Sequence, residues 1–415
     1  MLIQARKFLI LFSSVTILLI GHGLQLTLVP LRAEALGWHA TAIGLTGSFY
    51  FLGFLVGCIA VPRFVARVGH VRTFSTTTTL CGAALLLILL SEEPWVWSIL
   101  RFLTGVGISG CYLIIESWLN EQSGDTERGK TLGIYTMIVL LAMSVGQLLV
   151  AIDSPVAVTP VVLGSLLLSA AVIPVSLSRL QLPSAIAAPE FALGRIYRAA
   201  PAGVGAAFAS GTVSASLFTL TPVFARQVGL TLEEIAALMI AMLFGGALLQ
   251  IPAGRLSDRM DRRRMLAALL IIGVVVSLLA WMLPPWPLLG VAVLFLLGGV
   301  GTAIYPLCLA HANDRLPGAF LQVGTVVLLV NSTGAVIGPL AGAAMMDALG
   351  PAGFFGFTAL GFLTTLAWVV FCIFRRSDAP THVEAFVPAV NTTTATLELD
   401  PRAQGDDLHA QHRTD

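Results

Sequence analysis

Two apolar runs, at about 235–252 and 265–283, flank an eleven-residue stretch, Gly254 to Arg264, that holds five arginines and two aspartates in a chain only 11% charged. Either run can cross a hydrocarbon core of about 30 Å at about 1.5 Å per residue. The stretch between them is then a short turn joining two membrane spans, and its arginines place it in the cytoplasm by the positive-inside rule. In lipid the backbone of each span must satisfy its own hydrogen bonds, so every span is a helix.

The rest of the chain extends this reading. Hydrophobic residues make up 57% of the 415, more than the core of a soluble domain needs, so the chain reads as an all-α polytopic membrane protein within a lipid bilayer. A net charge of +1 gives no sign of a nucleic-acid partner. Cys58, Cys81, Cys111, Cys308 and Cys372 are scattered through apolar segments without metal-ligand or disulfide spacing, and read as small apolar residues. There is no phosphate loop, metal cluster or triad spacing, so no enzyme activity, cofactor or ATP-driven pump is expected. Arg6 and Lys7 precede an apolar run, as in a signal peptide, but the run is too long and no A-x-A site follows it.

Twelve apolar segments are expected, near 8–30, 42–61, 73–91, 95–119, 131–152, 156–177, 201–223, 232–253, 265–284, 287–311, 319–346 and 351–374. The charges test that count. Of 23 Lys and Arg, twenty fall on the side of the Gly254–Arg264 turn, Arg32 and Arg226 on the other, and Arg101 within a span. A miscounted helix would scramble this asymmetry, so both termini are expected in the cytoplasm. The expected organisation is a six-helix half at 1–177, a linker at 178–200, a second six-helix half at 201–376 and a disordered polar tail at 377–415. The halves repeat: a shift of 192 residues carries Arg259, Asp261, Arg264 and Gly338 onto Arg67, Gly69, Arg72 and Gly146, and a shift of 194 carries Gly299 and Gly301 onto Gly105 and Gly107. Such duplication is the mark of a secondary transporter with its substrate between the halves.

Gly254, Asp258, Arg259, Arg262 and Arg263 resemble the signature loop of the major facilitator superfamily, in the copy that opens its second half. The run Arg101-Phe102-Leu103-Thr104-Gly105-Val106-Gly107 resembles that superfamily's fourth-helix motif. The set Glu116-Ser117-Trp118-Leu119-Asn120, Arg128-Gly129, Tyr135, Gly146-Gln147 and Pro252 to Asp258 is similar to its bacterial YcaD-type branch. The resemblance implies a twelve-helix transporter in the bacterial inner membrane, working by alternating access. It also implies a small-molecule substrate and coupling to protons or another ion; a monomer is expected.

Candidate site residues follow. Arg101 lies about 9 Å into the membrane, where a charge must face protein or water. The resemblance makes it a cavity residue; the alternative is snorkelling to the outer headgroups. His22 and Gln25 lie at similar depth in the first span, which carries no Asp or Glu. An arginine without a carboxylate beside a histidine suits an anionic or zwitterionic ligand, although a buried, satisfied histidine reads as well. Tyr112 and Tyr305 join the candidates, among the hydroxyls and amides of the seventh, tenth and eleventh spans. Glu116 lies one turn from the cytoplasmic face, and the resemblance pairs it with Arg67 or Arg72 as a gate, against a role in proton relay. In the first half Pro62 and Ala66 replace the loop's glycine and aspartate, so the well-formed loop is the second, with Gly254 and Asp258. Gly334, Gly338, Pro339 and Gly342 resemble an antiporter motif placed in the wrong half, and with Gly105, Gly107 and Gly146 they read as packing and hinge sites. A drug exporter with a loose apolar cavity is a competing reading, and a non-transporting sensor or scaffold using the tail is a third.

Overall fold

The computed structural model describes residues 2–122, 128–177, 192–282, 287–375, 386 and 393. Among these residues every regular element is helical, and twelve helices are long and apolar enough to cross a membrane. We number them α1 (Leu2–Ala35), α2 (Ala40–Val68), α3 (His70–Leu87), α4 (Pro94–Gln122), α5 (Arg128–Leu148), α6 (Val158–Ala170), α7 (Pro201–Gln227), α8 (Leu232–Ser257), α9 (Arg262–Met282), α10 (Pro287–Arg315), α11 (Phe320–Leu349) and α12 (Gly353–Arg375). A short helix, Val172–Ser176, continues α6, and another, Leu193–Ala199, precedes α7. Residues 178–191 of the expected linker at 178–200, and most of the expected tail, lie outside the described residues.

Several helices outrun their apolar segments. Helix α4 continues to Gln122, α10 to Arg315 and α11 to Leu349. Backbone hydrogen bonding does not stop where the apolar residues stop, because polar side chains at a helix end reach water or a neighbour. The extra turns make Asp314 and Asp347 helix residues, so two more carboxylates besides Glu116 stand within spans.

The duplication holds in detail. Gly37 and Gly229, 192 residues apart, end the first turn of each half with φ of 81° and 86°, the left-handed region that glycine enters without steric cost. Pro30 and Pro222, also 192 apart, lie within α1 and α7. Packing repeats as well: α1 with α5, α2 with α4 and α3 with α6 are matched by α7 with α11, α8 with α10 and α9 with α12. Helix α8 starts on a capping box, with Thr231 N donating to Glu234 Oε2 at 2.8 Å and Glu234 N donating to Thr231 Oγ1 at 3.3 Å.

The glycines let the paired helices touch at the backbone. Gly105 lies against the carbonyl of Tyr50, Gly146 against that of Ile20, Gly334 against that of Phe208 and Gly338 against that of Thr212. Gly107 faces the Cys81 thiol and Gly342 the Leu220 side chain. Pro339 packs on Gly44 and Gly47 of α2, across the junction of the halves. All five cysteines are buried, and none of them is in a disulfide.

Candidate functional site

A cavity opens between the halves. One wall is aromatic and comes from the first half: His22, Tyr50, Phe51, Phe54 and Tyr112. The other, from the second half, is rich in hydroxyls and amides: Ser210, Ser214, Thr302, Tyr305, Asn331 and Ser332. Several of these hydroxyls bond a carbonyl of their own helix, as Thr302 does to Gly298 at 2.5 Å and Ser332 to Leu328 at 2.9 Å. Asn331 Nδ2 donates to Ala207 O at 3.1 Å, tying α11 to α7. None of the lining residues is Asp, Glu, Lys or Arg.

The sequence reading put Arg101 on the cavity wall, and the structure corrects this. The Arg101 guanidinium is 5% exposed and stands 4.4 Å over the ring of Tyr50, which takes the lining position instead. The reason lies in the α2–α4 crossing. Arg101 and Gly105 share a face at i, i+4 spacing. The missing side chain at Gly105 brings the α2 backbone at Tyr50 close, so the ring falls between the guanidinium and the cavity. Burial also rules out the snorkelling alternative. Gln25 is withdrawn from the lining too: its Nε2 donates to His22 Nδ1 at 3.1 Å, one helical turn away. His22 Nε2 lies 3.5 Å from Tyr50 Oη, so His22, Gln25, Tyr50 and Arg101 form one buried cluster.

A second cavity shares Tyr112, Met143, Ser214, Phe218 and Thr302 with the first and continues between α5 and α8 to Gln250, one turn from Gly254. The space between the halves thus extends toward the signature loop. On the opposite side the halves are joined. Asp347 at the end of α11 accepts from Ala40 N at 3.0 Å, Thr41 N at 2.9 Å and Thr41 Oγ1 at 2.5 Å, capping α2 from the other half. Arg226 and Glu34 approach to 3.9 Å, and Leu340 N donates to Ser48 Oγ at 3.2 Å. Proline at 339 and the glycines beneath it allow that approach.

At the signature loop, Arg262 is buried and its Nε donates to Asp314 Oδ2 of α10 at 2.6 Å. Its Nη1 reaches Ser257 Oγ at 3.2 Å and Asp258 at 3.4 Å. Arg263 grips Asp261, with Nη2 to Oδ2 at 2.7 Å. Burial works to raise the Asp261 carboxyl, but the Arg263 side-chain and backbone bonds outweigh it and hold the group below its ordinary range. Arg259 is exposed. Asp314 escaped the sequence reading. The shifts of 192 and 194 residues carry Arg262 and Asp314 onto His70 and Asn120, so the residues of this ion pair correspond to a histidine and an asparagine in the other half.

Glu116 is fully buried, and its expected partners are not its partners. Arg67 and Arg72 are exposed, and among the described residues no ion pair joins either to Glu116. Tyr135 Oη of α5 donates to Glu116 Oε1 at 3.2 Å, and the Thr393 hydroxyl donates to Oε2. Arg67 instead sits on an exposed face of α2. Thr393 is itself buried, and Phe386 N donates to both oxygens of Asp258, at 3.0 and 3.1 Å, with its ring against Gly254. These two tail residues thus dock on the helices, Thr393 on α4 of the first half and Phe386 at the end of α8 in the second.

The profile of the Major Facilitator Superfamily matches residues 11–196 and 202–403. The chain belongs to that superfamily. Members of the superfamily take small-molecule substrates across membranes, and this chain is a multi-pass membrane transporter by that membership. An uncharacterised MFS-type transporter of Yersinia pestis (strain Pestoides F) is 28% identical over 350 residues, covering 83% of this chain and 89% of that protein. The uncharacterised MFS-type transporter YcaD of Salmonella typhi is 27% identical over 355 residues, covering 84% and 91%. Among solved structures, a mutant of the nucleoside transporter NupG superimposes with a TM-score of 0.74 at 11% identity, covering 88% of this chain and 98% of that one. A bacterial homologue of the human lysosomal transporter Spinster, in an inward-facing and unoccupied conformation, gives 0.68 at 15% identity, covering 96% and 98%. At such identities the two structures share the superfamily fold with this chain.

Proposed function

We propose that this protein is a secondary active transporter of the bacterial inner membrane, with both termini in the cytoplasm. It carries a small anionic or zwitterionic molecule by alternating access and draws on a proton gradient. The observation that carries this reading is the cavity between the halves: it has no acidic lining residue, and a guanidinium lies buried behind its wall at Tyr50. A cation kept at that depth without a carboxylate can be matched by the ligand's own negative group. The contacts of Asp347, Glu34 and Arg226 close one side while the cavity extends toward the other, which fits an end state open to the cytoplasm. His22 is the one imidazole among the lining residues, and imidazole changes charge near neutral pH in water. Asp258, Arg262, Arg263 and Glu116 then belong to the gate on the cytoplasmic side, with Arg259 facing solvent.

The experiment is uptake into proteoliposomes of acids first found by thermal shift of the purified protein, because a bound ligand stabilises the fold by mass action. Arg101→Lys keeps the charge and loses the two-pronged geometry. It is expected to reduce uptake more than about tenfold, with Arg101→Ala lower still and both proteins folded. His22→Gln is expected to flatten the pH profile. Normal transport of an acid by Arg101→Ala, or transport of a cation by the wild type, would sink the anion reading. One observation favours a drug exporter as the second reading: Phe51, Phe54, Phe218 and Met143 make much of the cavity apolar. Under that reading neutral and cationic dyes are exported and Arg101 is dispensable.

A further inference from the structure

Arg101 is an unfinished contact. Among the described residues it donates no hydrogen bond and forms no ion pair, and its Nη1 is enclosed without a partner. The face of Tyr50 is what it has. A ring face attracts a cation but fills none of the five N–H donors of a guanidinium. Buried donors left unfilled are costly, and they persist where something else fills them part of the time. Gln25 carries an unfilled atom in the same cluster, in its case an acceptor. Its Nε2 is used on His22, but its Oε1 is buried without a donor. Tyr50 lines the cavity and Arg101 does not, so the ring is what separates the ligand space from the guanidinium.

We propose that Tyr50 screens an anion subsite made by Arg101. A ligand carboxylate or phosphate displaces the ring from the guanidinium and takes its parallel N–H donors, while the flat body of the ligand stays among Phe51, Phe54 and Tyr112. Tyr50 is then a specificity-determining residue. Neutral ligands occupy the cavity without moving it, and only an anion able to form charge-assisted bonds outcompetes the ring. Tyr50 also limits the affinity for weak anions, since its contact with Arg101 must be given up first. The proposal rests on the anionic reading of the cavity and adds to it the residue that hides the charge.

The test is titration of the full-length protein in detergent with benzoate, phenyl phosphate and the neutral benzamide. Tyr50→Phe retains the ring face and should bind all three as the wild type does. Tyr50→Ala removes the screen and should bind benzoate or phenyl phosphate at least about fivefold more tightly, without a matching gain for benzamide. A gain confined to one anion assigns the subsite to carboxylates or to phosphates. Adding Arg101→Gln should abolish the gain, with circular dichroism and elution volume unchanged to show that the fold survives. The screen is overturned if Tyr50→Ala weakens or leaves unchanged the binding of both anions, if benzamide gains equally, or if the gain survives in the double variant. The anionic reading itself fails separately, if the wild type binds benzoate or phenyl phosphate and Arg101→Gln alone leaves that affinity unchanged.

Discussion

Arg262 gives up nearly all contact with water, and Asp314 with it, so the two charges depend on each other. Removing one partner of such a pair leaves the other buried and uncompensated, at a cost of about 3–5 kcal/mol, whereas replacing both by apolar residues is often neutral. Asp258 at 3.4 Å softens the loss. Asp314→Asn should therefore destabilise the protein by about 3 kcal/mol, and Arg262→Met with Asp314→Leu by much less; thermal unfolding in detergent reads both. Equal losses for the single and double variants would mean that the pair's value lies in its geometry and not in charge compensation. Residue types placed Arg262 in the charged turn between α8 and α9. They did not reveal its partner, because 52 residues separate it from Asp314 and only the packing of α9 on α10 brings them together.

Between elements, spacing in the chain and closeness in space are different facts. The small residues of α11 are legible as a packing stripe, yet their partners are not: Gly334 and Gly338 meet α7, while Pro339 meets α2 of the other half. A side chain at 338 would strike the carbonyl of Thr212. Gly338→Leu should cost about 1–3 kcal/mol through forced separation of α7 and α11. Gly133→Ala on α5, where nothing lies within reach of an added methyl, should be neutral or stabilising by up to about 1 kcal/mol. Unfolding temperatures of the two variants give the comparison. Asp347 acts on an element too, since its carboxylate fills the first N–H groups of α2 from outside that helix. Asp347→Ala removes a cap worth about 1 kcal/mol and also loosens the seal between the halves. A cysteine at Ser48, in a background without the native cysteines, should then be alkylated faster than in the parent; an unchanged rate would confine Asp347 to a local role.

For the whole molecule, the arginine asymmetry makes a prediction about orientation. With the native cysteines removed, a cysteine at Arg32 or Arg226 should react with an impermeant thiol reagent in intact cells. One at Arg259, exposed on the signature loop, should react only after the membrane is opened. Labelling of the loop position alone would invert the arrangement.

The number of helices, their spans and the duplication were readable from the chain because each depends on a one-dimensional quantity. An apolar run either crosses the bilayer or does not, and a 192-residue shift either matches landmarks or does not. The same holds for the shared depth of His22, Gln25 and Arg101, since helical rise converts residue number into depth. Depth is not direction, however. Tyr50 stands in front of Arg101 because α2 and α4 touch at Gly105, and no property of the segment around Arg101 encodes the neighbour that a glycine admits. Glu116 likewise found Tyr135 and Thr393, and not Arg67, because partner choice follows from helix rotation and crossing. Those are set by the summed packing of all twelve helices, a quantity that only the folded molecule possesses.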